Sequence, residues 1–228
     1  FDPEFVDAFE LGFKGDFLDG TLTTNVAVFY SDFDDFQLNT FTGTGFLISN
    51  TDEMISQGIE WESMWNIADG VYWTLGVTYA DARYGDSLNA KGVNDASLFL
   101  AQDYDTLEDW GALESIEGRQ ITQAPYWQGS TSLFVEQPWG DRFVYGNLNI
   151  GFRGSNNTGS DLKNEKDIPD EEIVNLQLGV RAQDDAWDFQ VWARNLTDNQ
   201  VNTLVFNSVF QGGSFSTFFG PPRMVGAT

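Results

Sequence analysis

Apolar and polar residues alternate with a period of two along most of this chain, and the alternating stretches are joined by connections that are short and long in strict turn. Val71, Trp73, Leu75, Val77 and Tyr79 share one face of an extended segment, opposite Tyr72, Thr74, Gly76, Thr78 and Ala80. Val144, Leu148, Ile150 and Phe152 oppose Tyr145, Asn147, Asn149 and Arg153 in the same way. Such segments occur at residues 6–14, 22–30, 55–65, 71–79, 127–137, 144–153, 174–181 and 187–194, and a ninth opens at Met224. Phe29, Phe134 and Trp192 break the pattern by standing on the polar side. Residues 15–20, 66–70, 138–141 and 182–186 read as tight turns, whereas 31–53, 85–123, 154–171 and the stretch after Arg194 are long connections. Helices are nearly absent from this pattern; residues 95–116, inside the second long connection, could hold a short one.

Tight turns on one side and long loops on the other describe an antiparallel meander of the kind used by outer-membrane barrels. Segment 71–79 covers eight steps of about 3.4 Å, and a tilt of about 40° leaves an apolar band of roughly 21 Å, close to what such a barrel shows to lipid. Trp73 and Tyr79 fall near the two edges of that band, where aromatic girdles belong. The expected fold class is therefore all-β, an antiparallel transmembrane β-barrel with short periplasmic turns and long extracellular loops. Nine strands leave two open edges, and bacterial barrels close on even numbers. Nine strands are therefore not a closed barrel, and the chain looks cut at the front and at the back. Soluble sandwiches show the same alternation; a soluble carbohydrate-binding β domain, with Trp61 and Trp127 as platforms, is the rival outside the membrane.

Charge and composition narrow the function. Thirty-five acidic residues against eleven basic ones, net −24, leave no basic footprint for nucleic acid. Cysteine and histidine are both absent, which removes disulfides, thiol nucleophiles, Ser-His-Asp catalysis and the commonest metal ligand. No run of about 18 apolar residues is present, so no transmembrane helix is expected.

Several motifs, in order, carry a family resemblance. They are Phe9-Glu10-Leu11-Gly12-Phe13-Lys14, Gly58-Ile59-Glu60-Trp61-Glu62, Asn195-Leu196-Thr197-Asp198 at the end of a tryptophan-led strand, and Pro222-Arg223 before a closing strand. Their order and spacing resemble the TonB-dependent outer-membrane receptors. The resemblance implies a 22-stranded barrel of which residues 1–228 are the C-terminal portion, the plug domain with its energy-coupling box and the first strands lying elsewhere. It further implies active uptake of a scarce solute across the bacterial outer membrane. A ferric siderophore is the commonest cargo; the TonB complex acts through the plug and outer-membrane lipid surrounds the barrel. A passive porin is the alternative from another class. No enzyme activity and no cofactor are implied.

Candidate site residues follow. Arg83, Arg119 and Arg153 stand at or near outer strand ends, where they could bind an anionic chelate or pair with surplus carboxylates. The loop from Gly85 to Arg119 holds eight acids and two bases together with Tyr104 and Trp110, whose flat faces and polar tips suit a ligand of mixed polarity. Asp103, Asp105, Glu108 and Asp109 could coordinate calcium, but the calcium-loop pattern is missing, and a solvated acidic surface is the expectation. Glu60 and Glu62 share one strand face as a catalytic pair would; in a barrel they are expected to line a wet lumen, paired with arginines of neighbouring strands.

Overall fold

The computed structural model describes residues 2–41, 46–85, 88–90, 113–209, 211 and 213–228. Its elements are β1 (Phe5–Phe17), β2 (Leu22–Phe41), β3 (Phe46–Ala68), β4 (Val71–Tyr84), β5 (Leu88–Ala90), β6 (Leu113–Ser115), β7 (Trp127–Trp139), β8 (Arg142–Arg153), β9 (Asn156–Asn157), a single 3₁₀ turn (Asn164–Lys166), β10 (Asp167–Ile168), β11 (Glu171–Ala182), β12 (Asp188–Arg194), β13 (Asn202–Asn207), β14 (Phe215–Phe219) and β15 (Met224–Ala227). Nine of them form one antiparallel sheet in the order β1-β2-β3-β4-β7-β8-β11-β12-β15, with β1 and β15 at its edges.

The register places every alternating stretch in phase. Leu11 pairs with Val28, Val28 with Ile59, Ile59 with Tyr79 and Tyr79 with Trp127. Nearer the short turns, Trp65 pairs with Trp73, Trp73 with Leu133, Leu133 with Leu148, Leu148 with Leu176 and Leu176 with Ala193. Directly opposed residues share a face, so one side of the sheet is apolar from edge to edge. No described element covers it: Leu11 is 76% exposed and Phe189 52%. An apolar sheet face of this extent is stable only against another apolar medium. Within the band, Thr24, Trp61 and Ser63 satisfy one another, as lipid requires. Thr24 and Ser63 hydroxyls lie 2.7 Å apart, and the Trp61 indole N–H donates to both at 2.9 Å.

The other face carries a polar network across the strands. Ser132 donates to Asn147 Oδ1 (2.8 Å), Asn175 donates to Asn149 Oδ1 (3.2 Å), and the Tyr145 hydroxyl donates to Asp188 (2.8 Å). Arg181 grips Glu136 with two bonds of 3.0 Å, reaching across β8. Glu60 and Glu62 lie on this face, opposite Thr78 and Gly76. Neither has an arginine partner among the described residues, contrary to expectation, because their cross-strand neighbours are small or neutral.

Three connections differ from the sequence reading. Residues 31–53 are not an irregular loop: β2 and β3, 20 and 23 residues long, run on as one hairpin far past the apolar band. The backbone enters the left-handed region at Asp35 (φ 55°), where the ladder skips a pair. Beyond it Phe36 and Leu38, which continue the sequence parity of Tyr30, pack with Tyr84 of the opposite face. This change of face hid the strand from a simple count of alternation. The helix considered for 95–116 lies largely outside the described residues, and its final part, Leu113–Ser115, is strand paired with Leu88–Ala90. Residues 154–171, read as polar loop, hold β9, the 3₁₀ turn and β10, with Ile168 only 1% exposed.

The Asn-Leu-Thr-Asp motif has a physical task here. Asn195, 3% exposed with φ 50°, donates to the carbonyls of Asn199 (2.8 Å) and Pro221 (3.3 Å) and accepts from the Asn199 amide (3.0 Å). Asp198 accepts from the Arg223 amide at 3.0 Å. Motif and Pro-Arg entry are thus the two halves of one clasp, which aims the chain into β15 after the excursion through β13 and β14.

Candidate functional site

Almost all fully buried apolar side chains gather at the end of the sheet that carries the long connections. Leu38, Tyr84, Ile116 and Leu162 form a cluster there, flanked by Phe36 and Ile121. They come from the β2–β3 hairpin, the end of β4, the return after β6 and the 154–171 connection. Tyr84 continues the polar-face parity of β4, so these connections fold inward over the polar face. The sequence reading found none of them, because single apolar residues in polar surroundings carry no periodic signal. The β13–β14 hairpin was also missed. Its strands, Asn-Thr-Leu-Val-Phe-Asn and Phe-Ser-Thr-Phe-Phe, group their polar and apolar residues instead of alternating them, so no period of two marks either one.

Three arginines fasten this assembly, each holding a different connection. Arg83 pairs with Asp81 (2.7 Å), donates to the Gly118 carbonyl (3.0 Å) and lies 5.7 Å from the Tyr126 ring centre. Arg119 donates to the Leu162 carbonyl at 2.9 Å. Arg153 pairs with Glu171 (2.6 Å), whose other oxygen accepts from the Asn202 amide (3.0 Å) at the start of β13. The structure does not gather the three side chains at one point. Arg83 and Arg153 even differ in side: Arg83 shares the parity of Tyr79 on the apolar face, Arg153 that of Gly151 on the polar face. Tyr104, Trp110 and the candidate calcium ligands Asp103, Asp105, Glu108 and Asp109 lie outside the described residues.

Inside the assembly sits a buried ion pair. Lys166 Nζ donates to both oxygens of Asp161 (2.8 and 2.7 Å), the two side chains being 4% and 1% exposed. Burial pulls the Lys166 ammonium below its ordinary value, and its hydrogen bonds to Asp161 oppose that shift. Beside the pair, Thr158 Oγ1 accepts from the Val205 amide (3.0 Å) and reaches the Val205 carbonyl (2.9 Å), locking β13 onto the 154–171 connection. A cavity of about 400 Å³ opens at this junction, bounded by Phe46, Thr122, Thr158, Lys166, Val205 and Asn207 among others. That volume is within the usual range of small-molecule sites. Among the described residues no group of three or more acidic side chains is disposed to hold a metal ion.

A nine-stranded meander with one lipid-compatible face, a polar opposite face and long connections folded over it has the layout of a segment of a larger membrane β-barrel. The family described as TonB dependent receptor-like, beta-barrel matches residues 1–196. The chain belongs to this family. Solved structures share the fold. The ferric yersiniabactin uptake receptor FyuA from Yersinia pestis superposes with a TM-score of 0.73 at 19% identity, over 98% of this chain and 29% of that one. For the ferric-catecholate import receptor Fiu from E. coli K12 the TM-score is 0.64 at 19% identity, covering 99% and 27%. For the copper transporter OprC it is 0.63 at 13%, covering 99% and 30%. At these identities the likeness is one of fold, and the chain spans under a third of each solved receptor. No curated protein matches the sequence. With the family in hand, the apolar face of the TonB-dependent receptor sheet is its outer surface and the polar face lines its interior.

Proposed function

We propose that this chain is the C-terminal part of the barrel of an outer-membrane receptor that imports a scarce solute, a ferric siderophore before other cargoes, with energy delivered by TonB through a plug domain. The observation that carries the reading is the inward fold of the long connections. They build a clasped, walled cavity over the interior face, which suits capture of a cargo and is out of place over an open diffusion pore. Tyr104 and Trp110 of the longest connection and Arg119, which has no carboxylate partner among the described residues, are the proposed cargo contacts. Arg83 and Arg153, engaged by Asp81 and Glu171, hold the loops that carry the site. Bacterial outer-membrane lipid would surround the apolar face.

Uptake of radiolabelled ferric chelate by cells making the full-length receptor tests the proposal. Uptake should occur only with energised membranes and intact TonB; equal uptake in de-energised cells would identify a passive pore instead. Replacing residues 87–117 with a short Gly/Ser link should leave the barrel assembled and weaken whole-cell binding at least tenfold, about 1.4 kcal/mol or more. Unchanged binding in that variant removes the longest loop from the site.

A further inference from the structure

The last rung of the apolar face at the short-turn end carries a charge. Trp139 pairs with Arg142, Arg142 pairs with Ala182, and the Ala182 amide donates to the Trp187 carbonyl at 3.0 Å. These positions continue the parity of Val144, Val180 and Phe189, so all four stand on the lipid-facing side. Ala182, between Arg142 and Trp187 in this row, is small, and the Arg142 guanidinium lies 5.7 Å from the centre of the Trp187 ring. Trp139 is 64% exposed and the Arg142 side chain 48%. Of the described basic residues, Arg142 alone stands on this face at this end. Lys14, Arg153, Arg181 and Arg194 have the opposite parity, and Arg83 lies at the loop end. A guanidinium flanked by tryptophans on the edge of a hydrocarbon-facing band sits at the depth of lipid headgroups.

The carboxylates beside it decide which headgroup fits. Asp141 Oδ1 lies 3.4 Å from Arg142 Nε, and the Asp141 side chain is 90% exposed. An exposed pair at that distance holds weakly, so both charges are open to a ligand. The neighbouring turn is fastened alongside: the Gln183 amide donates to the Asp141 carbonyl (3.3 Å) and Gln183 Nε2 to the Gly140 carbonyl (3.1 Å). That turn adds the Asp184 carboxylate, which accepts from the Ala186 amide (3.2 Å), whereas Asp185 is paired with Arg181. Arg142, Asp141 and Asp184 together therefore leave the corner net negative.

We infer that this corner binds the headgroup of a zwitterionic phospholipid, with its phosphate on Arg142 and a primary ammonium on Asp141. Trp139 and Trp187 pack against the glycerol backbone and the upper acyl chains. A net-anionic headgroup would satisfy Arg142 but would face two carboxylates with no ammonium to offset them. A choline headgroup brings the phosphate but has no N–H to donate to Asp141. The inference concerns the lipid around the barrel and is independent of which cargo the receptor takes.

The test uses the full-length receptor purified in detergent and native mass spectrometry, which counts the lipid molecules each receptor retains. Phosphatidylethanolamine, phosphatidylcholine and phosphatidylglycerol with identical acyl chains are offered separately at equal concentration. The wild type should retain the ethanolamine lipid about fivefold or more above either of the others, the scale of one exposed charge contact. Arg142→Gln should abolish that excess, and Asp141→Asn should bring the ethanolamine and choline lipids level. Equal retention of all three by the wild type would reduce the row to an aromatic girdle and overturn the inference. A preference for the glycerol or choline lipid would overturn the assigned headgroup. An ethanolamine preference that survives Arg142→Gln would place the lipid elsewhere on the barrel and is equally fatal. If Arg142→Gln does not assemble, Asp141→Asn on the exposed turn decides, since a full preference retained there refutes the ammonium contact.

Discussion

The indole of Trp192 occupies the space that a side chain at Gly226 would need. The two residues are paired across β12 and β15, and a β-carbon at Gly226 would come within 2.7 Å of Trp192 Cε2. The same relationship recurs at Phe29 over Gly58, Tyr145 over Gly179 and, on the outer face, Phe152 over Gly129. An aromatic ring laid across a facing glycine covers backbone that would otherwise weaken the strand. Two of the three aromatics that violate the alternation, Phe29 and Trp192, are such covers. The third, Phe134, lies between Tyr72 (6.1 Å) and Tyr145 (6.3 Å) in a ladder on the interior face.

Gly226→Val should therefore expel the Trp192 ring and lower the stability of the full-length receptor by about 1–3 kcal/mol. Combining it with Trp192→Ala should restore part of the loss, since the two sites touch. Urea titration of the receptor in detergent measures all three variants. Strictly additive losses would show that the ring does not occupy this space in solution.

The assignment of faces is tested by two neighbouring residues. Val77 pairs with Trp61 on the outer face, Thr78 with Glu60 on the inner one. An arginine in the middle of the lipid-facing band costs about 2–4 kcal/mol. Val77→Arg should impair assembly far more than Thr78→Arg, read as the heat-modifiable folded fraction on a gel. Equal effects would contradict the parity on which the barrel rests.

Asn195 and Asp198 should differ in weight although they share a motif. Asn195→Leu removes the side-chain partner of three backbone groups, the amide and carbonyl of Asn199 and the carbonyl of Pro221, and should cost about 1–3 kcal/mol. Asp198 and Arg223 are 51% and 50% exposed and 3.7 Å apart, so loss of their ion pair should cost below about 1 kcal/mol. Hydrogen exchange at the amides of β15 reports both: strong deprotection is expected in the first variant and little in the second.

The buried pair of Lys166 and Asp161 gives a further contrast. Lys166→Met alone leaves a buried carboxylate unpaired and should destabilise the 154–171 connection by about 3–5 kcal/mol, whereas Asp161→Leu with Lys166→Met should be close to neutral. Limited proteolysis within that connection separates the cases. Cleavage at equal rates in single and double variants would refute the pairing.

The sheet was legible in the sequence because parity is a local signal: Val71 to Tyr79 announces its faces without knowledge of its partners. Beyond Asp35 that signal fails, since one left-handed residue exchanges the faces and Phe36 and Leu38 then read as out of phase. Lys166 stands among Asn164, Glu165 and Asp167, a sequence that reads as solvated, and only tertiary contact with Asp161 buries it. Arg83, Arg119 and Arg153 were visible as outer-end cations, but which loop each fastens depends on chain returns of 35, 43 and 49 residues. No window on the sequence spans those.

The separation of the apolar band from the clustered loop end gives this molecule two solvents. Leu11, Phe13 and Phe189 depend on hydrocarbon around them, while Leu38, Tyr84, Ile116 and Leu162 depend on water driving them together. Agents that weaken one medium leave the other in place. Moderate urea should loosen the clasped vestibule while the strands stay embedded, and delipidation should unsettle the strands before the vestibule opens. The loop end can thus rearrange without any strand leaving its hydrocarbon surroundings.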